Sequence, residues 1–324
     1  MTKRIPWAVY ALLFILLLLV PQGVSLHNLM LFEYGLAFAI VGLGFNLLLG
    51  YTGLLSFGHG AYFAAGAYTV AMISRYLPDW YALEIVIPAA LFFSFIVALL
   101  FGFLCVRHTK VFFSILTMAL SMVLFSLLFK LYALTGGSDG VRIPLPSLFG
   151  FSFEGMRRPQ FLQGVYYYFL VIFFAASFLV MKGIVNSPFG KALQSIRDNE
   201  VRAELIGVRV RRYRLYAFCI SGMFTGLGGA LWSFINGHVT PELSHWVFSG
   251  EVVYMVLLGG FGTFEGPIIG AILFTFLKLY AMSYTQYWMF VIGGTFIVLV
   301  MVLPNGLAGA AVSLWQKIKP ASSR

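Results

Sequence analysis

The chain has 324 residues, 60% hydrophobic and 10% charged, and 21 Lys and Arg against 11 Asp and Glu give it a formal net charge of +10. Soluble domains carry about 25% charged residues, so this composition excludes an ordinary soluble globule and points to lipid as the solvent. Cys105 and Cys219, the only cysteines, lie inside apolar runs and read as small buried hydrophobes rather than a disulfide framework.

Apolar runs near the ~20-residue length that crosses a ~30 Å hydrocarbon core recur along the chain. Lys3 and Arg4 precede the first, Ile5 to Val20; no small-residue cleavage site follows, so it reads as an uncleaved helix closed by a turn at Pro21 and Gly23. The second spans Leu29 to Leu49. GLLSFGHGAYFAAGAY (53–68) feeds a third segment ending near Ser74, and its crowded glycines, Gly53, Gly58, Gly60 and Gly66, predict a broken helix or close backbone approach. The fourth run, Leu83 to Val106, stops at Arg107, His108 and Lys110, and the fifth covers Val111 to Leu134.

Residues 135–164 carry Gly, Ser and three prolines and read as loop. The sixth run is Val165 to Met181. Lys182 to Arg214 is then a charged island holding Lys182, Lys191, Arg197, Arg202, Arg209, Arg211, Arg212 and Arg214 with Asp198, Glu200 and Glu204. A seventh run, Leu215 to Ile235, and a short polar link, Asn236 to His245, follow it. The eighth run is short for a crossing before Gly259, and Gly259, Gly260, Gly262, Gly266 and Pro267 interrupt the chain there. A ninth segment extends to Ser283 and a tenth from Trp288 to Leu303, ahead of Pro304, Asn305 and Gly306. The expected fold is therefore an all-α polytopic membrane protein, a single transmembrane domain with about ten crossings, Gly-broken helices and one helical polar island.

Charge orients it. With the N-terminus inside and an even number of crossings, Lys3, Arg4, Arg107, Lys110, the island's eight basic residues, Lys317, Lys319 and Arg324 all fall on the cytoplasmic side. That pattern accounts for the positive charge without nucleic acid. It places both termini and residues 182–214 in the cytoplasm and the 135–164 loop outside. The island reads as one helix, with Ser187 as cap, Pro188 at the first helical position and Gly207 closing the end. Phe189, Ala192, Leu193 and Ile196 recur at three- and four-residue spacing and give it one apolar face. Charge alone does not choose between anionic headgroups and a soluble partner for this helix.

ALQSIRDNEVRAELIGVRVRRYRLYAF (192–218) resembles the cytoplasmic EAA-type loop of ABC importer permeases. With GLLSFGHGAYFAAGAY (53–68) and LLGGFGTFEGPIIGA (257–271), in matching order and spacing, the chain is identified as a member of the branched-chain amino-acid permease family, M-type rather than the shorter H-type. The resemblance covers almost the whole chain. It implies a multi-pass protein of the bacterial inner membrane, a second homologous permease subunit, two cytoplasmic ATPase subunits and a periplasmic substrate-binding protein. It also implies branched-chain amino acids as cargo, with urea, short amides or small aromatic acids as alternatives. Glu200, Ala203 and Gly207 match the E-x-x-A-x-x-x-G pattern; Glu204 stands where a second Ala is common in the general motif. Arg197, Asp198, Asn199, Glu200, Ala203, Glu204 and Gly207 are the expected ATPase-coupling residues. The chain lacks G-x-x-x-x-G-K-[ST], so it is expected to be no enzyme and to bind no cofactor, with ATP hydrolysed by its partners.

Ser56, Gly58, His59 and Gly60, and Gly259, Gly260 and Gly262, are the candidates for a substrate path, because broken helices expose backbone at membrane depth. The competing reading makes His59 a helix-start residue bonded to backbone and 259–267 a tight turn; the short preceding run tilts the latter toward a re-entrant break. Glu33, Glu251, Lys130 and Lys278 read as snorkelling residues, Tyr166 to Tyr168 as an interfacial belt, and Asp139 as part of a capped turn. No proton relay or metal-spaced cluster is visible, which disfavours an ion-coupled transporter or a membrane enzyme.

Overall fold

The structure, a computed structural model, describes residues 7–108, 110–153, 155–303 and 306–310. Lys3, Arg4, Lys317, Lys319 and Arg324, used above to orient the chain, lie outside them. The principal helices are α1 (Trp7–Gly23), α2 (Leu26–Thr52), α3 (His59–Tyr76), α4 (Leu83–Cys105), α5 (Lys110–Lys130), α6 (Tyr167–Asn186), α7 (Pro188–Asp198), α8 (Glu200–Leu205), α9 (Val210–Asn236), α10 (Trp246–Gly259), α11 (Gly266–Tyr284) and α12 (Trp288–Val302). Two short antiparallel strands, β1 (Val141–Arg142) and β2 (His238–Val239), pair Val141 with Val239. Six segments are long and apolar enough to cross a bilayer: Leu26–Thr52, Leu83–Cys105, Val111–Lys130, Arg158–Asn186, Val210–Asn236 and Gly266–Tyr284. Leu12–Gly23, Trp246–Gly259 and Trp288–Leu299 are shorter apolar helices. The chain is an all-α polytopic membrane protein.

Helix α9 is the hub, and small residues make it so. Lipid tails are as apolar as leucine, so helices in a bilayer associate through close packing rather than the hydrophobic effect. Gly222, Gly226, Gly228 and Gly229 on α9 leave its backbone bare where α2, α3 and α4 cross it. A Cβ at Gly228 would meet Ala37 O at 2.9 Å on α2, one at Gly229 Phe63 O on α3, and one at Gly222 the Ala98 Cβ on α4. The facing helices return the favour through Gly44, Gly66 and Gly102, each with α9 atoms inside 3.0 Å of an added Cβ. Helix α2 packs on its other side against α11, where Gly35 faces Ile272 and Gly42 faces Pro267.

The connections gather at two ends of the bundle. One end joins β1 to β2, with Ile143 N donating to Gly237 O at 3.0 Å, and Ser147 Oγ donating to Tyr81 O at 3.1 Å. There Tyr132 donates to Asp139 Oδ2 at 2.7 Å, a bond that raises the Tyr132 pKa, and Gly136, Gly137 and Gly140 all turn at positive φ. The other end brings together the first turns of α1, the end of α2, the charged island and the α10–α11 turn. Tyr10 donates to Glu265 at 2.5 Å, Asn46 to Thr263 O at 3.2 Å, and Arg197 to Gly50 O.

Several sequence expectations give way here. Pro21 sits inside the last turn of α1, which runs through to Gly23 before the chain turns. Tyr166 and Tyr167 are fully buried and donate to Leu231 O and Leu17 O; of the three tyrosines only Tyr168 is exposed. Their rings face inward because each hydroxyl finds a helix carbonyl, which removes the need for an interfacial position. Glu33 is fully buried, with no hydrogen-bond partner on either carboxylate oxygen among the described residues, so it does not snorkel. Lys130, by contrast, is exposed at the end of α5.

Candidate functional site

The island folds as two helices, not one. Ser187 caps α7 as expected, its Oγ accepting from Gly190 N. The chain then breaks at Asn199, whose extended backbone ends α7 and whose Oδ1 accepts from Arg202 N at 2.9 Å to cap α8. Asn is among the strongest N-cap residues, and an internal cap divides a run that apolar periodicity alone reads as continuous. Gly207, at φ +88°, terminates the unit in the left-handed region. The α7 face expected to be apolar packs inward. Leu193 and Ile196 are buried, and Phe189 stacks on Tyr213 of α9 at 5.6 Å. Leu193 and Ile196 of that face are used by the protein itself, while Phe189 and Ala192 stay partly exposed.

Beside that packing, two polar contacts fasten the island to the bundle. Arg214, buried in the first turns of α9, donates from both terminal nitrogens to both oxygens of Glu200, at 2.7 and 2.8 Å. Such a fork-on-fork pair fixes orientation as well as distance. Arg197 reaches Gly50 O at the end of α2, where Gly53 turns at φ +72° beneath its side chain. Ala203 is buried under α8, Asp198 and Glu204 are exposed, and the Arg197–Asp198 contact at 3.3 Å is a surface pair of little energetic weight. The seven residues expected to act together therefore occupy one compact projection.

That projection also carries residues the sequence reading passed over. Val201, Leu205 and Ile206 are 66%, 83% and 71% exposed. Positions 201 and 205 are one turn apart on α8, so the two side chains share a face. An apolar patch rimmed by Arg202, Glu204 and Arg209 has the anatomy of a protein docking surface. The signal was present as three large aliphatic residues inside the most charged stretch of the chain.

The glycine-rich stretch after α2 is a break within the bundle. Residues 53–58 are non-helical, and Leu54, Ser56 and Gly58 are buried. Backbone without helical partners is tolerated at such depth only if protein groups satisfy it. Helix α5 supplies them: Ser114 Oγ donates to Leu55 O at 2.6 Å, and Thr117 Oγ1 accepts from Phe57 N at 3.1 Å. His59 then opens α3, enclosed completely, with Nδ1 3.2 Å from Ser56 Oγ and Nε2 2.8 Å from Ser221 Oγ. It is a helix-start histidine, with a hydroxyl at each ring nitrogen.

A second break enters from the opposite end, where the sequence suggested only a polar link. Pro241, Leu243 and Ser244 form a buried turn ahead of α10, and Ser121, midway along α5, donates to Ser244 O at 2.7 Å. Gly60 N donates to Ser249 Oγ at 2.8 Å, and a Cβ at Gly60 would meet Leu243 O at 2.8 Å, so the two breaks touch. Ser114, Thr117 and Ser121, at i, i+3 and i+7, form one hydroxyl stripe on α5 that serves both. Helix α10 is short because it starts deep. Its other end is an ordinary tight turn: Gly259 packs on Gly266 and Gly270, while Gly262 is exposed with nothing within 4 Å of an added Cβ. Gly259 and Gly260 are buried in that hairpin, so 259–267 is not a break at depth.

Residues 29–300 match the family described as the branched-chain amino acid transport system permease component. The chain belongs to this family. Among relatives of this permease, the high-affinity branched-chain amino acid transport system permease protein LivM of Escherichia coli K12 is 29% identical over 289 residues, 83% of this chain and 67% of that protein. LivM of Salmonella typhimurium is 29% identical over 319 residues, 91% of this chain and 74% of that protein. The high-affinity branched-chain amino acid transport system permease protein LivH of the same organism is 24% identical over 296 residues, 85% of this chain and 92% of that protein. No solved structure matches the permease.

Proposed function

We propose that this permease is one membrane subunit of an ATP-binding-cassette importer that moves branched-chain amino acids handed over by a periplasmic binding protein. The names of the LivM and LivH relatives support the cargo, and their pairing within one transport system supports a second, homologous permease beside this chain. Six segments long enough to cross a bilayer, with α3 and the shorter apolar helices α1, α10 and α12 beside them, support ten crossings in one transmembrane domain. On that count the 135–164 loop lies in the periplasm, and residues 182–214 and both termini lie in the cytoplasm of a cell with an inner membrane. Two ATPase subunits hydrolyse ATP beneath the bundle; this chain binds no cofactor of its own. The path for the cargo runs beside the broken segments, including Ser56, Gly58, His59 and Gly60.

One observation carries the reading: the exposed apolar tip of α8 is joined by the Glu200–Arg214 pair to α9, the helix on which α2, α3 and α4 all pack. A motor subunit gripping Val201, Leu205 and Ile206 moves α7 and α8 as a rigid unit, and α9 carries that displacement into the core. Leu205→Asp combined with Ile206→Asp should insert normally yet lose co-purification with the ATPases and ATP-driven leucine uptake. Retention of both by a correctly inserted variant would remove the island from the coupling role.

A further inference from the structure

Helices α10 and α11 lie antiparallel, locked at one end by the Gly259–Gly266 contact, and hold an ion pair between them. Lys278 Nζ donates to both carboxylate oxygens of Glu251, at 2.7 and 2.6 Å. The two side chains are 25% and 14% exposed, so the pair is paired and largely enclosed rather than spread toward water. Lys278 lies six residues before the end of α11 at Tyr284, roughly 9 Å along the helix axis. Packing does not explain it. Replacing an enclosed ion pair with apolar residues of similar volume is commonly neutral or stabilising, and ionisable groups at membrane depth mark function by default.

The same helical faces wall a cavity. Its volume is about 250 Å³, and it is lined by Phe274, Thr275 and Lys278 of α11, Phe248 of α10, Phe38 of α2 and Trp232 of α9. Glu251 lies three residues after Phe248, on the face of α10 that meets the cavity. Five aromatic rings, Tyr34 being the fifth, thus line a space with Lys278 on its wall and Glu251 paired to Lys278 beside it. Pockets for drug-sized ligands run about 300–1,000 Å³, so this one suits a molecule of a single amino acid's size. Its chemistry is that of an amphiphile with a short apolar body and both charges at one end.

We propose that this cavity is a transit subsite for an aliphatic amino-acid zwitterion. The ligand carboxylate meets Lys278, its ammonium meets Glu251, and its side chain rests among Phe38, Trp232, Phe248 and Phe274. A zwitterion entering here exchanges one ion pair for two, so no charge is left unpaired in a dry site. A neutral sugar or amide offers the pair nothing to exchange. The subsite rests on the import reading above and names residues that select the cargo.

The test uses the whole transporter, both permeases with ATPases and binding protein, in proteoliposomes. The double variant Lys278→Met/Glu251→Leu should assemble, melt at the wild-type temperature, and import leucine at least roughly ten-fold more slowly. Near-wild-type uptake in that assembled variant overturns the subsite and leaves the import reading standing. If the wild type imports no leucine, the import reading falls instead. A second measurement is independent of both uptake and the fate of the double variant. In a background with Cys105 and Cys219 replaced by alanine, Leu279→Cys on the cavity wall is labelled with a thiol reagent. Millimolar leucine should slow labelling several-fold where glucose does not; equal labelling in leucine, glucose and buffer overturns the subsite.

Discussion

At Gly66 a single added carbon would come 1.9 Å from the carbonyl oxygen of Gly226, a backbone atom that cannot rotate away. Gly66→Ala must therefore push α3 off α9, and overpacking of this kind costs about 1–3 kcal/mol or more. A lowered thermal midpoint of the detergent-solubilised permease is the expected readout; an unchanged midpoint would mean the helices are farther apart than described. Arg214 presents the opposite problem, a charge that must not be abandoned. Glu200→Ala strands a buried guanidinium and should destabilise by about 2–3 kcal/mol, somewhat below the range for fully buried pairs because Glu200 is half-exposed. Glu200→Ala with Arg214→Met should recover most of that loss while uptake stays impaired, because the ion-pair link from α8 to α9 is gone although no charge is stranded. Equal stability loss in single and double variants would mean that Arg214 is satisfied by something other than Glu200.

Helix α5 gives the clearest case of an element whose role lies in three residues. Its outer faces are apolar and exposed, yet Ser114, Thr117 and Ser121 hold the backbone of two irregular segments that come from opposite ends. Removing such a partner leaves a buried carbonyl or amide unsatisfied, at about 1–3 kcal/mol each. Thr117→Val with Ser121→Ala should therefore lower the thermal midpoint clearly, while Ser138→Ala in the exposed loop should not. A pair of variants with indistinguishable melting curves would show that water or lipid satisfies those groups. Apolar run length located α5 within a few residues, but hydroxyls spaced by three and four in a transmembrane run have two readings. They bond their own helix or a neighbour, and only the neighbour's position separates the two.

For the molecule as a whole, the two clusters of connections are the decisive feature, because they set the 135–153 loop at one end of the bundle and the charged island at the other. Leu205→Cys and Phe149→Cys lie in opposite clusters and are both well exposed. An impermeant thiol reagent should reach Cys at 205 only from the cytoplasmic side and Cys at 149 only from the periplasmic side. Labelling of both from one side would overturn the topology and the coupling scheme together. The central place of α9 is also a whole-molecule property. In the proposed coupling scheme the island's fastening at Arg214 counts because α9 touches α2, α3 and α4 through bare glycine backbone, so displacement at its first turns has no soft layer to dissipate in.

Composition and run length were enough to establish a membrane-embedded helical protein, since charge scarcity and ~20-residue apolar runs are properties of the chain itself. The family was legible because its three glycine-rich and charged blocks are contiguous strings, and Ser187, Pro188 and Gly207 were legible because caps act on their own helix. What tertiary structure alone decided were the meetings of distant residues. Glu200 with Arg214, Glu251 with Lys278, His59 with Ser221 and Ser121 with Ser244 each lie on different elements, and no local propensity encodes which partner a polar group finds. The short run before Gly259 shows the distinction. Its length was readable, but whether it starts deep or ends early depends on Ser121 and Gly60, which lie on other helices.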